Sequence, residues 1–277
     1  MLRELTLDTA VTTTNYALHA GDGPPVVLLH GHLGRWQDFL PILPTLTEHR
    51  TVFAPDMRGH GGSSRAPDGV YRHADVVDDS LVFLGDVVGE SAILVAHSAG
   101  VPAAVEASVR RPDLVRGVVI GDFPIDVPFL VDVVRSEQSQ VHHRAVRELA
   151  GRQVDEILPV LPRLHPELGT REHRAMAESL HLLDPHTVDL HAEGRIADYY
   201  GDLDGDALLR KVACPVLLLQ GDPRCGGLMP DEWTRHALSL LEDGRHALLE
   251  GIGHDLGLTS GRIEPLLAAL VPFLRSS

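Results

Sequence analysis

The 277 residues contain only two cysteines, Cys214 and Cys225. Their spacing makes neither a metal-ligand set nor a disulfide framework, and it fits a reducing compartment. Positive charge is also in short supply. Lysine and arginine number 24 against 39 acidic residues, a net charge of −15, and no basic stripe stands out. That balance argues against nucleic acid or an anionic membrane as a partner. No uninterrupted apolar run approaches the ~18 residues of a membrane span. The opening Met1-Leu2-Arg3-Glu4-Leu5-Thr6 lacks the charged-then-apolar pattern of a signal peptide, so a cytoplasmic setting is expected. Missing too are Gly-x-x-x-x-Gly-Lys-Ser/Thr and a Gly-x-Gly-x-x-Gly opening a helix, which argues against a bound nucleotide. No cofactor is called for, and there is no internal repeat or low-complexity tract.

What is present suits one large α/β domain, or a core with an inserted subdomain; 44% of the residues are hydrophobic. Leu5 and Leu7, then Tyr16 and Leu18, read as two short strands. Apolar runs at Val26–Leu29, Thr51–Ala54, Ser91–Ala96, Val115–Ile120 and Val216–Gln220 read as strands buried on both faces, with a shorter strand at Arg245–Leu249. Helical spacing falls at Trp36–Leu46, interrupted by Pro41 and Pro44, and at Ala74–Val88, Ala99–Val109, Asp231–Leu241 and Leu256–Leu274. Strand-helix alternation of this kind predicts a mostly parallel sheet with helices on both faces. Residues 125–203 break the alternation. They are charged, histidine-rich and helical in pattern, and read as an inserted helical cap between a core of 1–124 and 204–277.

Ligands of such sheets bind beyond the carboxyl ends of the strands, where the polar clusters that follow the strands of this chain fall. Leu94-Val95-Ala96-His97-Ser98-Ala99-Gly100 carries a serine between small residues at a strand-to-helix turn, the arrangement that projects a hydroxyl for attack. Serine needs a positioned base, and His254 lies on the glycine-flanked loop after the last strand. The base needs an orienting carboxylate. Asp222, directly after the Val216–Gln220 strand, is preferred, with Asp122 at the end of the preceding strand as the alternative. Asp126, Asp231 and Asp255 are weaker candidates. Oxyanion donors are expected from the backbone N–H groups of Ala99 and His32. A metal at His30-Gly31-His32 is disfavoured, because no further ligand set with suitable spacing accompanies it.

Several segments jointly resemble the α/β-hydrolase superfamily, in its branch of capped esterases, epoxide hydrolases, haloalkane dehalogenases, haloperoxidase-like enzymes and C–C hydrolases. They are His30-Gly31-His32-Leu33-Gly34 with Trp36, Asp56-Met57-Arg58-Gly59-His60-Gly61-Gly62-Ser63, Ala96-His97-Ser98-Ala99-Gly100, Gly221-Asp222-Pro223 and Gly251-Ile252-Gly253-His254. The resemblance implies an eight-stranded, mostly parallel sheet with an inserted cap. Many relatives place the catalytic aspartate three residues after the glycine that ends the seventh strand. That position is Arg224 here, so the role falls to Asp222 or moves to Asp122. Dehalogenases and epoxide hydrolases use an aspartate as nucleophile, so Ser98 points to acyl chemistry. The expected activity is hydrolysis of a small-molecule ester or lactone through an acyl-enzyme. A C–C hydrolase, a non-hydrolytic natural-product enzyme on the same triad, and a small-molecule receptor are the alternatives. Trp36, Phe123, Phe129, Leu130, Tyr199 and Trp233 are candidates for an apolar substrate pocket. The partner is a small carbonyl compound, and self-association as a homodimer is left open.

Overall fold

The apolar runs become the strands of a single sheet. A computed structural model describes residues 2–276. Its strands are β1 (Leu2–Asp8), β2 (Thr13–His19), β3 (Val26–Leu29), β4 (Val52–Pro55), β5 (Ala92–His97), β6 (Val115–Gly121), β7 (Val216–Gly221) and β8 (Gly244–Leu249). They form an eight-stranded sheet in the order β1-β2-β4-β3-β5-β6-β7-β8. Pairing is antiparallel at β1/β2 and β2/β4 and parallel from β4 to β8.

Because side chains alternate along a strand, each apolar run feeds both faces. Val27, Leu29, Leu94, Ala96, Val118, Ile120 and Leu218 point into one core cluster with Val101, Ala104 and Val105 of a covering helix. Their neighbours Val26, Leu28, Ile93, Val95, Val119, Leu217 and Leu219 point into the other, against Phe39, Ile42, Leu266, Leu270 and Phe273. The principal helices are α1 (His73–Phe83), α2 (Val101–Arg110), α3 (Val127–Arg135), α4 (Glu137–Leu149), α5 (Thr170–Leu182), α6 (Asp231–Leu240) and α7 (Glu264–Ser276). None of the described helices is long and apolar enough to cross a membrane.

Two helices differ from the expected spans. The Trp36–Leu46 stretch forms a 3₁₀ turn at Trp36–Phe39 and a single helical turn at Leu43–Leu46. Pro41 and Pro44 carry no N–H for a continuous ladder, so one helix cannot run through. The last helix starts at Glu264 rather than Leu256, because Leu256, Gly257 and Gly261 have φ of 53°, 83° and 73°. Left-handed backbone of that kind cannot propagate a right-handed helix.

The stretch between β6 and β7 has helices as its regular elements and holds a small core of its own, including Val146, Leu149, Ile157, Leu161, Leu180 and Val188. It is fastened to the loops at the carboxyl ends of β3 and β4. The Tyr71 hydroxyl donates to Asp184 Oδ2 at 2.7 Å, the Asp184 N–H donates to the Gly59 carbonyl at 2.8 Å, and Arg35 pairs with Glu178 at 2.8 Å.

Candidate active site

Ser98 directly follows β5, opening a 3₁₀ turn at the N-terminal side of α2, with φ of 50°. A serine in left-handed backbone is strained, and the surrounding packing sustains it. The sharp turn works because its neighbours lack bulk. A Cβ on Gly100 would lie 2.8 Å from the His30 carbonyl oxygen, and one on Gly31 would lie 2.9 Å from Ser98 Cβ. The Gly31-His32 loop therefore passes directly beside the serine.

His254 Nε2 lies 2.9 Å from Ser98 Oγ, and its Nδ1 lies 2.9 Å from Asp122 Oδ2. The two bonds fix one tautomer: Nδ1–H donates to the carboxylate, and Nε2 accepts from the hydroxyl. This corrects the preferred orienting acid. The residue behind His254 is Asp122, not Asp222. Asp122 also takes left-handed backbone, φ 46°, which turns its side chain toward the loop after β8. Gly221 admits it, since a Cβ there would come within 2.9 Å of Asp122 Oδ2.

Asp122 is fully buried, and burial pushes its carboxyl toward neutrality. The bond and charge of His254, with N–H donors from Leu228 and Gly221, outweigh that push and hold the carboxyl below its ordinary range. The donors are Gly221 to Oδ1 at 2.9 Å, Leu228 to Oδ2 at 2.7 Å and Met229 to Oδ1 at 3.2 Å. A carboxylate so held stays ionised and accepts only.

Asp222 does a different job. Its oxygens accept from Arg224 and from the Gly251 N–H at 2.9 Å, while its own N–H donates to the Ile252 carbonyl at 2.6 Å. It staples the loop after β7 to the loop that carries His254. The Arg224 side chain first, then the Gly251 N–H, hold its carboxyl well below the usual range. The weaker candidates are also occupied locally. Asp126 caps α3 by accepting from the Phe129 N–H, Asp231 accepts from Gln220, and Asp255 accepts from Gly257 and Ser260.

Three further supports were named in the sequence only as members of the motif segments. His97 Nε2 lies 2.7 Å from the His254 carbonyl oxygen, donating to it and pinning the loop, and burial lowers its pKa to about 4. His30, also lowered to about 4 by burial, accepts the Met57 N–H at Nε2 and donates from Nδ1 to the Gly31 carbonyl. Asp56 is buried and gathers the Asn15 amide and the Trp36 and Gly62 N–H groups at 2.8, 2.7 and 2.9 Å. Adjacency to the serine was the available signal for His97. Asp56 and His30 depend on contacts distant in sequence.

Five of the six pocket candidates gather in one core cluster and the sixth, Trp36, lies in the other. Trp36 turns its indole N–H to Glu4. Phe123, Leu130 and Trp233 are buried in the first cluster, with Phe129 and Tyr199 packed against it. Two clefts of about 230 and 470 Å³ both reach Tyr199 on the helical segment, and neither reaches Ser98 or His254.

Comparison with known proteins agrees with this architecture. The sequence model of the alpha/beta hydrolase fold matches residues 24–151. A haloalkane dehalogenase of Bradyrhizobium diazoefficiens is 30% identical over 269 residues, covering 86% of each chain. The chain belongs to the α/β-hydrolase superfamily. A 2-(acetamidomethylene)succinate hydrolase of Mesorhizobium japonicum is 38% identical over 103 residues, a match spanning 37% of each chain. The crystal structure of an E-2-(acetamidomethylene)succinate hydrolase superposes with a TM-score of 0.78 at 25% identity, covering 99% of this α/β-hydrolase and all of that chain.

Proposed function

We propose that this α/β-hydrolase is a serine hydrolase that cleaves a small carboxylic ester or lactone through an acyl-enzyme on Ser98. The observation that carries the reading is the unbroken relay Ser98 Oγ–His254 Nε2, His254 Nδ1–Asp122 Oδ2, each link 2.9 Å. His254 takes the Ser98 proton as Oγ attacks the carbonyl carbon, and Asp122 stabilises the imidazolium that forms. The tetrahedral oxyanion is received by the backbone N–H groups of Ala99 and His32, one following the nucleophile and one on the loop beside it. The N-terminus of α2 adds a favourable field there. His254 then returns the proton to the leaving oxygen and activates the water that releases the acid. A carboxylate nucleophile, as haloalkane chemistry uses, has no counterpart at Ser98.

The likeness to a 2-(acetamidomethylene)succinate hydrolase supports a second reading, in which the scissile group is the amide of a carboxylate-bearing substrate. The same acyl-enzyme serves both, with nitrogen as the leaving atom in place of oxygen. A fluorophosphonate probe tests the shared chemistry: wild type is labelled, whereas Ser98→Ala and His254→Ala are not. An unlabelled wild type overturns the proposal. Turnover of a panel of small esters, lactones and N-acyl dicarboxylates then separates the two substrate readings.

A further inference from the structure

We propose that His32, His143 and His191 together bind one divalent late-transition-metal ion, of the zinc type, at the junction between the Gly31-His32 loop and the helices that cover it. One ring nitrogen from each lies within 4.8 Å of the others, the only group of three metal-ligating side chains found so close among the described residues. A zinc–nitrogen bond of ~2.0–2.1 Å puts tetrahedral ligands ~3.4 Å apart, so closing on an ion takes shifts on the order of an ångström.

The surroundings favour an ion over a packed histidine cluster. Histidine 32 turns Nε2, and His191 turns Nδ1, into the interior with no hydrogen-bond partner. Buried nitrogens left unpaired are costly unless something fills their lone pairs. The remaining bonds orient the rings as ligands. His143 Nδ1–H donates to the Ser139 carbonyl at 2.8 Å, which leaves its Nε2 free, and His32 is bonded to the Thr187 backbone. Carbonyl partners of this kind fix the tautomer of metal-bound histidine. His32 and His191 stack at 4.1 Å, and His143 stacks on His191 at 5.0 Å. An all-imidazole set suits zinc, copper or nickel rather than calcium or magnesium. His60, whose buried Nε2 also lacks a partner, stands 6.0 Å from the His32 ring and leaves the fourth position to it or to solvent.

Such an ion cross-links three chain segments: the loop beside Ser98, α4 through His143, and the short helix Asp189–Ala192 through His191. The sequence around His30-Gly31-His32 holds no further ligand set at suitable spacing. The fold supplies the further ligands from the helical segment instead.

The inference stands apart from the acyl-enzyme reading, because its test reads metal directly. The full chain, stripped with EDTA, is titrated calorimetrically with zinc chloride, and cobalt(II) is added separately for its visible spectrum. The expected result is one zinc per chain, a raised thermal midpoint, and the intense cobalt bands of a four-coordinate nitrogen site. His143→Ala and His191→Ala, with His143→Gln and His191→Gln in case the alanine variants misfold, each weaken zinc binding at least about tenfold. His236→Ala, removing an exposed histidine paired with Asp206, leaves it unchanged. Wild type that takes up no zinc, cobalt that stays six-coordinate, or folded variants that bind as wild type does, each overturns the proposal.

Discussion

Asp122→Asn is the substitution that bears most directly on the relay. In the native chain Oδ2 accepts from His254 and Leu228, and Oδ1 from Gly221 and Met229, so the carboxylate meets four donors. An asparagine must turn its NH₂ to one of those pairs. Facing Gly221 and Met229 it sets donor against donor. Facing His254 it drives the ring into the other tautomer, with Nε2–H directed at Ser98 and no base left to take the proton. Loss of the correct tautomer costs about 10⁴-fold in kcat where the same relay is known, about 5.5 kcal/mol of transition-state stabilisation. The second cost is conformational. One or two buried N–H groups lose their acceptor, at about 1–3 kcal/mol each, so a fall in the thermal midpoint accompanies the loss of rate. The assay is steady-state hydrolysis of a chromogenic ester, with circular dichroism to show that the variant is folded. Asp222→Asn runs in parallel. It loosens the staple to Gly251 and Arg224 but leaves both relay bonds in place, so kcat falls far less. Asp122→Asn within tenfold of wild type, or Asp222→Asn as deeply impaired as Asp122→Asn, refutes the assignment of the acid.

Gly31→Ala puts a methyl 2.9 Å from Ser98 Cβ and 3.2 Å from His97 Nδ1; about an ångström of displacement at the nucleophile predicts ~100-fold loss in kcat/KM, read by ester turnover at unchanged fold. Tyr71→Phe leaves buried Asp184 without its 2.7 Å donor, so about 1–3 kcal/mol of stability is lost, measured by urea denaturation. The buried histidines set an acid limit. His30 and His60 are each lowered from 6.5 to about 4, chiefly by burial. Between those values the unfolded chain binds protons that the folded chain refuses, so stability is complete above pH 6.5 and falls as pH drops toward 4. Each contributes a slope of about 1.4 kcal/mol per pH unit in that window. Urea midpoints that stay flat from pH 7 to 4.5 would contradict their neutral burial.

The fold and the turn that carries Ser98 were legible because both are written locally. A strand covered on both faces must be apolar at every position, and Val26–Leu29, Ala92–Ala96 and Val216–Leu219 are. A serine that must take left-handed backbone needs small neighbours, and Ala96, Ala99 and Gly100 provide them. The start of the last helix was misjudged where a run of left-handed residues overrides periodicity and delays α7 to Glu264. The acid was harder for a physical reason. Asp122 and Asp222 both follow a strand on the same sheet edge, both come after Ser98 in the chain, and both are buried. What separates them is backbone direction. Asp122 has φ of 46° and swings across the empty side of Gly221 to His254, whereas Asp222 at φ −64° turns to Arg224 and Gly251. A left-handed aspartate next to a glycine leaves almost no mark on hydrophobic periodicity, while Arg224 did leave one. Arg224, although its side chain is 78% exposed, pairs with Asp222 at 2.8 Å. With the Gly251 N–H on the same carboxylate and the Ile252 carbonyl on its own N–H, Asp222 is committed to holding the His254 loop, and the carboxylate that meets His254 Nδ1 comes from the end of β6.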